Sequence, residues 1–332
     1  SRDRVRSAMV NSGFAFPDRK ITVNLAPADL PKEGGRFDLP IALGIIVASG
    51  QLAEKSLLGY EFCGELALSG EIRSIVGEIP VAIACRDAGR AAVLPMLNAQ
   101  QAQQVPKVVV HGAEHLLQVH SFLLAQQPLP AIPALPVREQ QQLPDLADVK
   151  GQAHAKRVLE IAAAGEHNLL MLGPAGTGKS MLARRLPGLL PRLTEDEAFT
   201  CAMVRSAAGM QVSNAIASSP PFRSPHHNIS MAAMVGGGSG HIRPGELSLA
   251  SNGVLFLDEM GEFPPTVLDS LRQPLEEGVV RVARANTRVS LPARFTLIGA
   301  TNPCPCGGGA PGSCECDEAA LAKYRRRFNG PF

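Results

Sequence analysis

Residues 173–180 read Gly-Pro-Ala-Gly-Thr-Gly-Lys-Ser, the G-x-x-x-x-G-K-[ST] spacing of a phosphate-binding loop. Glycines at Gly173, Gly176 and Gly178 let the backbone turn tightly enough for successive N–H groups to face one anion. A helix starting at the loop adds its partial positive charge there. Pro174, Ala175, Thr177 and Met181 complete the expected cradle. Lys179 would meet the β- and γ-phosphates, and the Ser180 hydroxyl would hold Mg²⁺. A glycine-rich turn that merely happens to carry a lysine would not need the right flanks. Here the apolar run Leu169–Leu172 precedes the loop as a strand, and Met181–Leu186 can continue it as a helix until Pro187. The chemistry implied is nucleotide binding, with ATP and Mg²⁺ as the ligands.

A second acidic site lies about 80 residues on. Val254-Leu255-Phe256-Leu257 is an unbroken apolar run, the pattern of a parallel strand buried on both faces, and it ends in Asp258-Glu259. Such strands deliver their last residues to the C-terminal edge of the sheet, where α/β folds bind ligands. Asp258 is expected to share Mg²⁺ with Ser180, and Glu259 to polarise an attacking water. A third run, Phe295 to Ala300, delivers Thr301 and Asn302 to the same edge, and the Asn302 amide could bond both the γ-phosphate and the water. Lys179, Glu259 and Asn302 are thus the candidate catalytic residues, and ATP hydrolysis is the expected reaction. The plainer reading of Asp-Glu is a solvated strand end.

Cys304, Cys306, Cys314 and Cys316 form C-x-C-x7-C-x-C across a glycine-rich loop. Two cysteine pairs so arranged could close tetrahedrally on one structural Zn²⁺, although the usual knuckle spacing is C-x2-C. Four reduced thiols, or a disulfide formed on handling, are the other readings. Cys63, Cys85 and Cys201 stand alone and read as core residues. Adjacent His226 and His227 have no ligand partners at metal spacing and read as shaping a loop near the nucleotide.

These groups need elements to position them. The 332 residues suggest two domains, and 45% hydrophobic content supplies enough apolar mass for two cores. A net charge of +2 announces no nucleic-acid binder, so any basic surface must be local. No run approaches a membrane span and no signal peptide is visible; seven cysteines fit a reducing cytosol, so a cytoplasmic location with no membrane partner is expected. Residues 126–145 are rich in proline and glutamine and read as a linker between a first domain, 1–125, and a second, 146–332. In the first, Ile21–Leu25, Val93-Leu94 and Val108–Val110 read as strands and Phe37–Ser49 as an apolar helix, an α+β arrangement. In the second, Val280 and Val282, then Val289 and Leu291, alternate with polar positions about a turn near Ala285-Asn286. This predicts a β-hairpin bearing Arg281, Arg284 and Arg288. A further excursion, 231–247, carries Gly236 to Gly240, His241 and Arg243.

The stretches between these motifs carry a resemblance. Phe222-Arg223-Ser224-Pro225-His226-His227, Val235-Gly236-Gly237-Gly238, Arg243 to Ala250 and Asn252 to Glu259 resemble magnesium-chelatase-type AAA+ ATPases. Ile21 to Lys32 with Gly34 to Pro40 is similar to the Lon-protease-like domain of the ComM/YifB family of competence proteins. The resemblance covers nearly the whole chain. It implies an α/β fold: a AAA+ P-loop core preceded by a smaller α+β Lon-protease-like (ribosomal S5 domain 2-like) domain. It also implies a hexameric, ATP-driven helicase that promotes DNA branch migration in recombination and natural transformation. Its basic hairpins, here with Arg243, Arg281, Arg284 and Arg288, would line a pore and grip DNA phosphates without reading bases. With 4% aromatic residues and no Trp, stacking platforms are scarce, so backbone contact should dominate. The family continues past Phe332 into an arginine finger and a helical lid, so this chain is expected to hydrolyse ATP poorly alone.

One departure bears on the first domain. Where Lon-type peptidases carry the nucleophilic serine, the corresponding position is Arg36, and the stretch Gly77 to Val81 lacks the activating lysine. A structural collar therefore fits better than a peptidase. Three further readings stay open: a chelatase motor subunit remodelling a protein partner, an ATP-dependent peptidase, and a nucleotide-gated scaffold without catalysis.

Overall fold

The computed structural model describes residues 2–26, 34–134, 143–210, 218–238, 242–284, 287–307 and 314–329. The chain divides into two compact units, residues 1–138 with 205–216, and residues 139–204 with 217–332. Both are α/β, with parallel sheets flanked by helices.

The first unit is built around helix α2 (Asp38–Ala48), whose sequence DLPIALGIIVA has no polar face and is accordingly buried through Leu39, Ala42, Leu43, Ile45 and Ile46. Helix α1 (Arg2–Asn11) is polar outside and presents Val5, Ala8 and Met9, one helical stripe, to the same core. A three-stranded parallel sheet orders β1 (Tyr60–Phe62), β2 (Ala91–Pro95) and β3 (Val110–Ala113) side by side, with Ala92, Val93 and Leu94 of the central strand wholly buried. The strand expected over Val108–Val110 begins only at Val110. Ile21–Leu25 is not a strand: it joins no ladder, and Ile21, Val23 and Leu25 are all exposed. Its alternation of apolar and polar residues is real, but a strand exists only where a neighbour takes its hydrogen bonds.

The second unit holds a four-stranded parallel sheet in the order β4 (Leu169–Leu172), β9 (Thr296–Thr301), β6 (Val254–Leu257), β5 (Phe222–Arg223). The two central strands are buried throughout, as their unbroken apolar runs require. Their side chains alternate between two cores. Val254, Phe256, Ile298 and Ala300 pack with Leu159 and Ala163 of helix α3 (Ala153–Gly165) and with Leu182 and Ala183 of helix α4 (Lys179–Ala183). Leu255, Leu257 and Leu297 pack on the other face with Met260, Phe263, Leu268 and Leu271. Strand β4 is paired on one side only among the described residues, and Leu170 and Leu172 are exposed rather than buried. Close packing fixes Gly299 in β9, since a Cβ there would run into Met260 and Leu170.

Helix α4 stops at Ala183, short of the expected Leu186. Pro187 has no N–H to give the carbonyl four residues back, so the chain breaks and restarts as a short helix, Leu186–Leu189, with the proline in its first turn. The hairpin forms in the expected register from β7 (Val279–Arg284) and β8 (Thr287–Pro292), with Val280 opposite Leu291 and Val282 opposite Val289. Val280 and Val282 insert into the second core. The expected turn at Ala285-Asn286 lies outside the described residues. Between two of the stretches that carry the resemblance, Arg223 and Glu246 form a bidentate pair, Nε to Oε2 at 2.6 Å and Nη2 to Oε1 at 2.7 Å. This charge-assisted bond holds the Arg223 guanidinium above its ordinary pKa.

Asp38 is fully buried at the start of α2, and its Oδ2 lies 3.0 Å from Arg4 Nε, close enough to pair but not aligned as a hydrogen bond. Burial pushes its carboxyl above the ordinary value, against the opposing pull of Arg4. Folded Asp38 therefore holds its proton more tightly than unfolded Asp38. Its contribution to stability is present at low pH and is lost as pH rises from the ordinary carboxylate value through the raised one. Urea unfolding of Asp38→Asn beside wild type should show the variant gaining relative stability as pH rises above the ordinary carboxylate value of about 4. A constant difference above that value would contradict the account.

Candidate nucleotide site

Four segments meet at the C-terminal edge of the second sheet: the loop after β4, the ends of β6 and β9, and the first turn of α4. The loop takes its shape from Gly176 at φ +79° and Gly178 at φ +85°, left-handed conformations that a side chain would strain. Thr177 Oγ1 donates to the Pro174 carbonyl at 2.9 Å, and Gln152 Nε2 donates to the Thr177 carbonyl at 2.9 Å, bracing the loop from within and from the start of α3. Gly173 N–H donates to the Thr301 carbonyl at 3.2 Å, tying the loop to β9. Lys179 Nζ donates to the carbonyls of Gly173 at 2.6 Å and Pro174 at 2.9 Å. An ammonium has three donors, so these bonds fix its position and leave it one more.

The residues bound one cleft of about 370 Å³, lined by Ala175 to Met181, Asp258, Glu259 and Ala300 to Asn302. Within it the Ser180 hydroxyl donates to Asp258 Oδ2 at 2.7 Å, while Asp258 Oδ1 accepts the Glu259 N–H at 3.0 Å. Octahedral Mg²⁺ with bonds of about 2.0–2.1 Å places adjacent ligand oxygens roughly 2.9 Å apart, so the Ser180–Asp258 pair fits that ion. Glu259 sits at φ +50°, a left-handed conformation that costs a non-glycine residue of order 1 kcal/mol. It turns the carboxylate to within 3.3 Å of His227 Nδ1, and the His226 and His227 rings lie 4.1 Å apart. The edge of β9 is held from behind. The Tyr324 hydroxyl lies 2.6 Å from Thr301 Oγ1 and donates to the Asn302 carbonyl at 3.0 Å. A larger hollow, about 590 Å³, lies between Leu143–Leu146 and Pro187–Arg192, but none of the loop glycines, Lys179 or the acidic pair lines it.

The structure therefore brings Lys179, Ser180, Met181, Asp258, Glu259 and Asn302 around one space, with Gly173 and Pro174 as carbonyl partners of the lysine. Arg243, Arg281 and Arg288 do not line the cleft. Arg243 is exposed beside the two-residue ladder of Gly236-Gly237 with Arg243-Pro244. Arg281 is exposed and paired with Glu277 at 2.6 Å. Arg288 is exposed, on the same face as Arg281 by register, and the Arg284 side chain lies outside the described residues, as do Ser239, Gly240 and His241. Gln152 and Tyr324 carry no signal in the sequence, since a glutamine before a helix and a tyrosine within one have no diagnostic spacing. His227, expected to shape a loop near the nucleotide, lies 3.3 Å from Glu259.

The sulfur atoms of Cys304, Cys306, Cys314 and Cys316 all lie within 4.8 Å of one another. Cys304 to Cys306 is 3.3 Å and Cys306 to Cys314 is 3.8 Å. Bonds of about 2.3 Å to a tetrahedral ion imply sulfur separations near 3.8 Å, so the set fits a thiolate metal site. The glycines at 308, 309 and 312 lie outside the described residues. Cys85 and Cys201 are buried, and burial raises the Cys85 thiol to about 11. Cys63 is half-buried rather than a core residue.

Residues 145–332, more than half of the chain, match the family model for magnesium chelatase, subunit ChlI, and residues 1–98 match that for subunit ChlI of Mg-chelatase. Competence protein ComM of Haemophilus influenzae is 48% identical over 338 residues, which cover all of this chain and 66% of that protein. YifB of Salmonella typhimurium is 47% identical over 332 residues, all of this chain and 65% of that protein. The chain thus spans about two thirds of the length of these relatives. The 38 kDa magnesium-chelatase subunit of Rhodobacter capsulatus is 29% identical over 171 residues, 47% of this chain and 49% of that protein. With likeness running from its first unit through the phosphate loop to the end of its second, this chain belongs to the ComM/YifB family of magnesium-chelatase-like AAA+ ATPases.

Proposed function

We propose that this chain is the motor part of a ring-forming, ATP-driven helicase that moves DNA branch points during recombination and natural transformation. The observation that carries the motor reading is the 2.7 Å bond between Ser180 and Asp258 beside Lys179, because it sets a hydroxyl and a carboxylate from segments 78 residues apart at the spacing of two ligands of one Mg²⁺. In this reading the loop amides and Lys179 bind the β- and γ-phosphates of ATP. Magnesium, held by Ser180 and Asp258, would neutralise charge on the phosphate oxygens. Glu259 takes a proton from the attacking water, and the Asn302 amide orients that water against the γ-phosphate. His227, 3.3 Å from Glu259, orients the base. Met181, 41% exposed at the cleft, offers an apolar surface for the base of the nucleotide.

The DNA part of the reading is supported by the relative named as a competence protein and by three exposed arginines, Arg243, Arg281 and Arg288, on glycine-rich or hairpin excursions. In a hexameric ring they would contact phosphates in a central pore, with Arg284 as a fourth. The first unit is proposed to be a Lon-protease-like collar without peptidase activity. The Arg36 guanidinium lies 3.9 Å from where a Gly77 side chain would begin. Arg36, at the position of the nucleophile, thus neighbours the start of the stretch Gly77 to Val81, which lacks the activating lysine. The four cysteines are proposed to bind one structural Zn²⁺. No helix of the described residues is long and apolar enough to cross a membrane. A second reading, a motor subunit that remodels a chelatase partner, is favoured by the family description and the Rhodobacter capsulatus relative. Stimulation of ATP turnover by branched DNA, rather than by a chelatase partner, separates the two.

Two substitutions test the cleft. Lys179→Ala should weaken ATP affinity measured by a fluorescent analogue by at least about tenfold, since a charge-assisted contact to phosphate is worth roughly 1.5–3 kcal/mol. Glu259→Gln should bind ATP normally and lose about 10²–10⁴ in turnover. Equal turnover by Glu259→Gln would remove the assigned base. For the DNA reading, a chain extended by the further segment of its relatives should move a synthetic four-way junction with ATP, and its Lys179→Ala variant should not. Absence of movement by the extended wild type would refute the helicase assignment. Replacing Arg281 or Arg288 by Ala should lower the salt dependence of DNA binding by about one counterion each, without changing sequence preference.

A further inference from the structure

The cysteine cluster and the nucleotide cleft share one short length of chain. Strand β9 ends at Thr301, Asn302 follows, and Cys304 and Cys306 come two and four residues later. Cys314 and Cys316 then lead into helix α5 (Glu318–Asn329), whose first turn is capped by Asp317 Oδ1 accepting the Ala320 N–H at 2.6 Å. Two turns on, Tyr324 points back to the end of β9. Its ring is 92% removed from solvent, its hydroxyl lies 2.6 Å from Thr301 Oγ1, and it donates to the Asn302 carbonyl at 3.0 Å. The chain thus closes a circuit: from Asn302 through four convergent sulfurs into α5, and from α5 back onto Asn302. A helix rises about 1.5 Å per residue, so the stretch from Glu318, two residues after Cys316, to Tyr324 spans roughly 9 Å along a stiff rod. Fixing one end of that rod fixes the other.

We propose that a d¹⁰ cation of the Zn²⁺ class, bound by the four thiolates, positions Tyr324 through α5 and thereby holds Asn302 at the ATP cleft. Tyr324 is the positioning residue that makes turnover depend on the metal. The step rests on the nucleotide reading given above. Metal binding replaces the thiol protons, which pass to solvent, and needs no oxidant. A metal whose only role was to tie off the loop would leave Tyr324 indifferent to its removal. Here the hydroxyl touches two of the residues that line the cleft, Thr301 and Asn302.

The sequence supplies its own probe, because it has no Trp and only two Tyr. In a Tyr60→Phe background, Tyr324 is the sole intrinsic emitter at tyrosine wavelengths. The 332-residue chain, supplied with Zn²⁺ under reducing conditions, should carry one equivalent of zinc by elemental analysis. Removing it with a chelator, thiols kept reduced, should raise iodide quenching of Tyr324 emission by about twofold and cut turnover by about ten- to a hundredfold, as a displaced orienting group does. KM and the affinity for a fluorescent ATP analogue should change little, and restored Zn²⁺ should reverse both effects. Tyr324→Phe should keep its zinc and show the same loss in kcat without a change in KM. The proposal is overturned if the reduced, zinc-supplied chain binds no metal, if chelation leaves Tyr324 quenching unchanged, or if Tyr324→Phe turns over like wild type. Failure of the zinc-loaded chain to bind the ATP analogue would instead refute the nucleotide reading, while the quenching response would still report on the coupling.

Discussion

Ser180, in the helix that follows β4, and Asp258, just past the end of β6, hang from strands that do not touch. Strand β9 lies between β4 and β6, so the two residues set out from backbones roughly 9.5 Å apart, twice the spacing of neighbouring strands. Their 2.7 Å hydrogen bond therefore exists only if three strands end at matching heights and the phosphate loop folds back over the middle one. The register meets that condition. Leu172 pairs with Thr301 and Leu257 with Gly299, so the chain leaves all three strands within a few residues of the same edge. The loop then reaches across through the bond from Gly173 N–H to the Thr301 carbonyl. The two cores on either face of the sheet hold those heights constant, and the cleft is a by-product of that alignment.

Around this edge the polar groups act on one another in sequence. Gln152 braces Thr177, Thr177 braces Pro174, and Lys179 closes on Gly173 and Pro174. On the far side, Glu259 is turned outward by a left-handed backbone and met by His227. Arg223 and Glu246, from two separate motif stretches, form the bidentate pair that joins the end of β5 to the helix Glu246–Leu249.

The elements that could be read from sequence were those whose pattern is fixed by local physics. The glycine spacing of the phosphate loop dictates its turn, and the unbroken apolar runs of β6 and β9 leave no polar face to expose. The hairpin was legible because Val280, Val282, Val289 and Leu291 alternate about a turn. Ile21–Leu25 has similar alternation yet joins no sheet, because pairing depends on a neighbour that sequence alone does not announce. Leu169–Leu172 looked as buried as β6 but, among the described residues, has a paired neighbour on one side only. Gln152 and Tyr324 entered the site only through tertiary contacts, 25 and 22–23 residues distant from their partners, for which no short motif exists. Arg4 and Asp38 are a similar case: each is ordinary in its own helix, and only their meeting defines the buried pair.

The one-sided pairing of β4 has a consequence for the timing of motion at the cleft. A strand bonded on both sides can release its amides to solvent only when the sheet opens, whereas a border strand can fray from its free side at much smaller cost. The phosphate loop is thus hung from a strand paired on one side among the described residues, while the acidic pair hangs from one paired on both. Deuterium uptake would accordingly run ahead along Leu169–Leu172 and lag along Val254–Leu257, making the half of the cleft that grips phosphate the supple half and the half that carries the acids the stationary one.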